Sequence, residues 1–158
     1  ADKKDWADAS FDWSTTRSVI FRTTWDYFDR YTEFAPWLKE ISSKCLLLNS
    51  AEIIKWNIDK HYLADLESAG LNIAPTHFLK SGSNTPLKEL FARTSWPQAV
   101  LKPTISGAAR HTYRLTPSNA EEHEEILKKL LKEEDMIFQE FLNDGGGAGV
   151  SETERKQK

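Results

Sequence analysis

The chain has 158 residues, 39% of them hydrophobic and 28% charged, which is a globular composition with enough length for one domain or two small lobes. Its net charge of -3 does not favour a nucleic-acid partner, since such binding usually requires a basic patch. No apolar run approaches the roughly 20 residues that span a bilayer, the polar start does not resemble a signal peptide, and a single cysteine excludes an internal disulfide, so we expect a cytoplasmic protein without a membrane partner.

The segment 1–75 alternates predicted strands and helices, which is the pattern of an α/β layer. Residues 1–16 are polar with scattered aromatic side chains and predict a loop that packs through its rings. The apolar spacing predicts two short buried strands and three helices: strands at 18–22 and 45–48, and helices at 32–42, 51–56 and 59–69. Ser50 is a good N-cap and Gly70 a good C-terminal stop. We interpret Cys45 as a small buried hydrophobic residue.

After residue 75 the predicted order becomes β-α-β-β-α-β, which fits a small α+β lobe. Its elements follow in chain order: strand 76–79, helix 87–93, two antiparallel strands at 99–102 and 112–115, helix 119–132 and strand 136–141. The tail is rich in glycine and polar residues and is predicted to be flexible. The predicted fold class is therefore α/β, with an α/β layer and linker helix at 1–75, an α+β lobe at 76–142 and a tail at 143–158.

Lys102 is the first candidate for chemistry, because it ends a predicted strand and is followed by Pro103 and the turn Ser106-Gly107-Ala108-Ala109. Small residues allow backbone N–H groups to approach an anion closely, so this context suits a phosphate. The alternative is an ordinary surface ion pair at a strand end. The turn is not a Walker loop, because Gly-x-x-x-x-Gly-Lys-Ser/Thr is absent.

Lys60 lies near the start of a predicted helix, where the helix dipole disfavours a cation and a bound anion would offset that effect. The alternative is a solvated lysine balanced by Asp59 and Asp65. Glu140 ends the last strand, where it would accept a hydrogen bond from a ribose hydroxyl while the neighbouring backbone pairs with an adenine edge. The alternative for Glu140 is a carboxylate in water.

Four further candidates follow the first predicted strand: Arg22, Trp25, Asp26 and Tyr27. Ligands of α/β sheets gather beyond the carboxyl ends of the strands. The alternative is a structural corner in which Arg22 pairs with Asp26 and Trp25 packs inside. The four histidines have no metal-ligand spacing, and the sequence has no Gly-x-Ser-x-Gly, so neither a metal centre nor a nucleophilic hydrolase is supported.

Together these stretches resemble the ATP-grasp superfamily, closest to proteins with a glutathione-synthetase-like ATP-binding domain. Six segments carry the resemblance in family order: 22–27, 48–52, 56–60, 69–76, 101–103 with its small-residue loop, and 138–142. The resemblance implies a ligase that uses ATP and magnesium to join a small carboxylate to an amine through an acylphosphate. The implied partners are a nucleotide and these two substrates; a homo-oligomer is compatible with the sequence.

The resemblance also implies roles for individual residues. Lys60 and Lys102 would contact the ATP phosphates, and the turn at Ser106, Gly107 and Ala108 would close over them. The adenine would face a hinge made of Glu140, Phe141 and Leu142. The candidates on the substrate side are Arg22, Trp25, Asp26, Tyr27 and Arg110.

On this resemblance, a second lobe with the magnesium ligands would follow Leu142, and a first strand and helix would precede Trp6. The chain is therefore expected to be a fragment without activity of its own. Two other hypotheses stay open at this point. One is a non-catalytic module that binds a nucleotide or a partner, and the other is a plain α/β interaction domain whose lysines are solvated.

Overall fold

The computed structural model describes residues 1–142, which form two separate β-sheets with five α-helices. The elements are, in chain order, β1 (Ser18–Ile20), α1 (Tyr31–Lys44), β2 (Leu46–Leu48), α2 (Ala51–Ile58), α3 (Tyr62–Ser68), β3 (Thr76–Leu79), α4 (Leu87–Thr94), β4 (Ala99–Pro103), β5 (Tyr113–Leu115), α5 (Ala120–Leu130) and β6 (Met136–Glu140). The predicted α/β class and the predicted order of strands and helices are confirmed, with shifts of a few residues at their ends. The predicted tail at 143–158 lies outside the described residues, and the domain boundaries stay a prediction.

The first sheet pairs β1 and β2 in parallel, with Val19 opposite Leu47. Helix α1 covers one face of this sheet, because Phe34, Leu38 and Ile41 recur at helical spacing and all three are buried. These side chains form one hydrophobic cluster with Leu47. The Ser50 side chain accepts a hydrogen bond from the backbone N–H of Ile53 and caps α2 as predicted, so the chain turns directly from β2 into the next helix.

Aromatic rings hold the segment 1–16 on this layer. Trp6 is buried and packs edge-on against Phe34, with 5.2 Å between ring centroids. Trp13 begins a single 3₁₀ turn and meets Trp37 of α1 at 5.4 Å. The prediction of a loop packed by its rings is confirmed, since large rings bury enough area to fix a segment that has no strand.

The prediction that β1 and β2 are buried strands is wrong. Ile20 is 59% exposed, Leu46 63% and Leu48 45%, and only Leu47 of β2 is buried. Successive strand residues point to opposite faces, and α1 covers one face only. Cys45 is also only partly buried, although that burial raises the pKa of its thiol.

The second sheet has the strand order β3-β6-β4-β5, with every neighbouring pair antiparallel. Helices α4 and α5 pack on one face and close the larger core, which includes Leu79, Leu101, Leu127, Leu130, Met136 and Phe138. The opposite face, here called the lysine face, carries Thr76, Phe78, Lys102, Ile137 and Gln139. The His61 ring stacks on Phe78 at 4.7 Å, so the start of α3 lies against the lysine face. None of the helices in residues 1–142 has the length and apolar character needed to cross a membrane.

The packing of α1 gives a direct stability test. Replacing Leu38, which is 2% exposed, by Ala is expected to lower the free energy of unfolding by about 2–5 kcal/mol, because it removes buried methyl groups and leaves a cavity. The neighbouring Lys39 faces solvent, and Lys39→Ala should change this free energy by less than about 0.5 kcal/mol. Urea unfolding followed by tryptophan fluorescence measures both, and equal unfolding midpoints would contradict the described packing.

Candidate functional site

Two lysines converge at the lysine face of the second sheet. Lys60, between α2 and α3, donates from Nζ to the backbone carbonyls of Thr104 at 3.2 Å and Ser106 at 2.9 Å. Its backbone N–H also donates to the Thr104 carbonyl, at 2.9 Å. Lys102, in β4, donates from Nζ to the side-chain oxygen of Gln139 at 3.0 Å. Both lysine side chains are partly buried, and they lie near enough for the charge of Lys102 to act on Lys60.

Burial acts against the charge on both lysines, and repulsion by Lys102 also acts against the charge on Lys60. Burial lowers the pKa of Lys102. Burial, followed by the nearby charge of Lys102, lowers the pKa of Lys60, and Asp59 opposes this only in part. Two desolvated like charges favour an anion between them.

Neither lysine takes a carboxylate partner within residues 1–142. Asp59 accepts hydrogen bonds from the ring and the backbone N–H of His61, and Asp65 accepts one from the Trp56 indole. Within residues 1–142, Lys60 therefore has carbonyl acceptors instead of a salt bridge with Asp59 or Asp65, and Lys102 has an amide acceptor instead of a surface ion pair.

The small-residue turn after β4 packs against the segment between β1 and α1. A Cβ atom on Gly107 would lie 2.6 Å from Cε1 of Phe28, so glycine allows this close approach. Ala108 and Ala109 have positive φ angles of 49° and 59°, and the Ser106 hydroxyl donates to the Arg110 carbonyl at 3.0 Å. The turn faces Lys60 with backbone carbonyls, whereas the sequence suggested N–H groups facing an anion. Closure of this turn over a ligand stays a prediction.

Arg110 ties the turn to two other parts of the chain. Its guanidinium lies 3.1 Å from a carboxylate oxygen of Asp29 and 2.9 Å from one of Glu134. The hydrogen bond to Glu134 is the main cause that raises the pKa of Arg110. Beside it lies a cavity of about 480 Å³, whose lining includes Phe28, Tyr31, Thr104, Arg110, Glu134 and Asp135. Of the candidates on the substrate side, only Arg110 lines this cavity.

The segment after β1 does not form the structural corner that was the alternative to a ligand site. Asp26 accepts a hydrogen bond from the Trp6 indole at 2.8 Å and pairs with Arg30 at 3.3 Å, so the alternative pairing with Arg22 is wrong. Trp25 is 66% exposed, so its packing inside the corner is wrong as well. Burial raises the pKa of Tyr27. A substrate role for these residues stays a prediction.

The segment after β6 is fixed by its backbone. The Glu140 N–H donates to the Pro75 carbonyl at 2.9 Å, and the Phe141 N–H donates to the Gln98 carbonyl at 3.1 Å. Glu140 lies opposite Ala99, so strand alternation puts the Glu140 side chain on the face away from Lys102. The Arg114 guanidinium covers the Phe141 ring at 4.0 Å, and Leu142 is 58% exposed. The adenine and ribose contacts expected here stay predictions.

Known proteins share this architecture. The family model of the N-terminal domain of D-cycloserine synthetase DcsG matches residues 1–49. The cycloserine biosynthesis protein DcsG of Streptomyces lavendulae is 32% identical over 130 residues, which are 80% of this chain and 44% of that protein. The crystal structure of D-cycloserine synthetase DcsG matches 88% of this chain and 48% of its own, with a TM-score of 0.81 and 29% identity.

A more distant structure carries the same fold. The RimK domain ATP-grasp protein of Sphaerobacter thermophilus DSM 20745 matches 73% of this chain and 42% of its own, with a TM-score of 0.52 and 20% identity. The chain therefore has the fold of ATP-grasp proteins. The resemblance drawn from the sequence motifs is thereby confirmed. The chain spans about half the length of the DcsG relatives that it matches.

Two contacts of this chain were missed by the sequence reasoning. Gln139 joins Lys102 to Thr76, and Glu134 binds Arg110. Strand alternation could have indicated that Gln139 and Glu140 face opposite sides, but only the register of β4 and β6 brings Gln139 to Lys102. The sequence argument about metal ligands considered only the spacing of the four histidines. The structure extends it to other side chains: within residues 1–142, no group of three His, Cys, Asp or Glu side chains is arranged to hold a metal ion.

The contact between Gly107 and Phe28 predicts a specific coupling. Gly107→Ala should lower the free energy of unfolding by about 1–3 kcal/mol, because the added methyl group overlaps the ring, and should speed proteolysis within 104–111. In a Phe28→Leu background the same change should cost less, since the overlapping ring atoms are gone. Thermal unfolding and limited trypsin digestion measure both effects. An equal cost in the two backgrounds would rule out this contact as the cause.

Proposed function

We propose that this chain is the nucleotide-binding part of an ATP-dependent ligase that joins a carboxylate to an amine through an acylphosphate. The observation that carries the proposal is the convergence of Lys60 and Lys102, which are partly buried and have no carboxylate partner within residues 1–142. The ATP-grasp fold supports ATP as the nucleotide. The whole ligase activity is a proposal for a longer protein, because the relatives are about twice as long.

In this proposal the two lysines hold the phosphates of ATP. Each ammonium is partly removed from water, and attraction to a phosphate oxygen is stronger there than in bulk solvent. When a phosphoryl group moves to a carboxylate, negative charge is spread over the phosphate oxygens, and catalysis consists mainly of positioning and charge stabilisation. Lys60 and Lys102 would supply both the positioning and the charge stabilisation. The hinge at Glu140, Phe141 and Leu142 would hold the adenine, and the turn at 106–109 would close over the phosphates.

The substrate end of the proposed site is the cavity beside Arg110. A guanidinium suits a carboxylate, and a volume of about 480 Å³ suits a small molecule. Arg110 already binds Asp29 and Glu134, so a substrate carboxylate would have to compete with them. The likeness to a protein named D-cycloserine synthetase supports a small, amino-acid-like substrate.

Magnesium belongs to the proposed reaction, but residues 1–142 do not provide a cluster that fits it. We derive no step through a metal ion from these residues. We expect this chain alone to bind ATP without turning it over, which would also be the behaviour of a non-catalytic nucleotide-binding module. Turnover by a longer protein would separate the ligase from that module.

Titration calorimetry with ATP tests the role of the lysines. Lys60→Met and Lys102→Met should each weaken ATP binding by about 10- to 100-fold, because each removes a charged hydrogen bond to phosphate. Lys129, exposed on α5, is the matched control, and Lys129→Met should leave the affinity unchanged. Titrations with and without magnesium would separate a metal requirement from the lysine contacts.

Two outcomes would contradict the proposal. The first is a wild-type chain that does not bind ATP. The second is a chain whose affinity responds to Lys129→Met as strongly as to Lys60→Met and Lys102→Met, since the effect would then be one of net charge. Phosphate release by the purified chain would contradict the expectation that it binds without turnover.

A further inference from the structure

The register of the second sheet places Gln139 beside the ammonium group of Lys102. Val100 of β4 lies opposite Gln139 of β6, and Lys102 lies opposite Ile137, so Lys102 and Gln139 are diagonal neighbours on the lysine face. Their contact is 3.0 Å from Nζ to Oε1, which is a hydrogen bond. Gln139 also lies opposite Thr76 of β3, and its Nε2 is 2.7 Å from the Thr76 hydroxyl oxygen.

The hydrogen-bond chain fixes which way the Gln139 amide points. The Thr76 hydroxyl donates its one hydrogen to the Ala74 carbonyl at 2.7 Å, and a carbonyl can only accept. Toward Gln139 the hydroxyl oxygen can therefore only accept, so the NH₂ group of the amide must face Thr76. The amide oxygen then faces Lys102, whose ammonium can only donate. Each contact in the series Lys102–Gln139–Thr76–Ala74 therefore has a single possible assignment of donor and acceptor.

Within residues 1–142, the two ammonium groups are held by neutral oxygens. The protein acceptors of Lys60 are the backbone carbonyls of Thr104 and Ser106, and the acceptor of Lys102 is an amide oxygen. A neutral acceptor fixes the position of an ammonium and leaves its full positive charge for an anion. A carboxylate at the same place would neutralise that charge and repel a phosphate.

We infer that Gln139 is a positioning residue for ATP binding, whose amide oxygen holds the Lys102 ammonium at the phosphate site without neutralising it, and that Thr76 orients this amide. The inference rests on the proposed function and names a residue of the same site. It does not depend on Glu140, whose side chain alternates to the opposite face of the sheet.

Variants at positions 139 and 76 separate the effect of positioning the Lys102 ammonium from the effect of neutralising its charge. Gln139→Glu keeps the size and an oxygen acceptor but adds a negative charge, and should weaken ATP binding by about tenfold or more. Thr76→Val removes the oxygen that orients the amide and should weaken binding by a smaller factor. Thr76→Ser keeps the hydroxyl and should bind ATP as the wild type does. Urea unfolding of each variant verifies that it is folded.

The pH profile of ATP binding adds a readout that a merely structural role would not move. Wild-type affinity should fall as rising pH removes the protons of Lys60 and Lys102, whose pKa values burial lowers. The charged groups that act on this pair are Asp59 and the two lysines themselves. In Gln139→Glu the new carboxylate raises the pKa of Lys102, so the fall in its remaining affinity should move to higher pH.

The outcomes distinguish this inference from the function on which it rests. Weaker binding by Gln139→Glu, a shifted pH profile and normal binding by Thr76→Ser support it. A Gln139→Glu variant that binds ATP with wild-type affinity and an unshifted profile overturns the inference and leaves the proposed function standing. A wild-type chain that does not bind ATP overturns the proposed function, and the role of Gln139 falls with it.

Discussion

The structure depends on holding two like charges close together and partly out of water. Lys60 and Lys102 each lose favourable hydration, and burial lowers the pKa of both. Without a carboxylate salt bridge among the described residues, the cost of this arrangement is offset by neutral acceptors, which are two backbone carbonyls and the Gln139 amide, and in part by the charge of Asp59. A carboxylate in contact with either lysine would neutralise its charge. A fold that binds a phosphate requires the charge to stay available.

The rest of the described chain supports this pair. β6 lies between β3 and β4, so Gln139 contacts Thr76 on one side and Lys102 on the other. Lys60 approaches from the start of α3, where the stacked rings of His61 and Phe78 fix that helix against the sheet. The close approach of the turn to Phe28, and the pairs of Arg110, tie the same site to the first layer. The lysine pair and the adjacent cavity therefore draw residues from the second sheet, from the connection between α2 and α3, and from residues 28–32, which precede and begin α1.

Local patterns predicted most of the fold and the two central lysines. Apolar spacing, the Ser50 cap and the Gly70 stop depend on neighbouring residues, and the sequence contains that information. The contact of Asp26 with Trp6 and those of Arg110 with Asp29 and Glu134 could not be predicted, because these partners lie far away in the sequence. The burial of β1 and β2 was overestimated because an apolar run does not reveal how many faces of its sheet are covered. Gln139 was missed because its role depends on the register between β4 and β6.

The most direct test of this account is a crystal structure of the chain with a non-hydrolysable ATP analogue. We expect phosphate oxygens within hydrogen-bond distance of both Lys60 Nζ and Lys102 Nζ, with the Gln139 amide still in contact with Lys102. Phosphates bound elsewhere, with the two ammonium groups making no contact to them, would contradict the claim that this lysine pair is the nucleotide site.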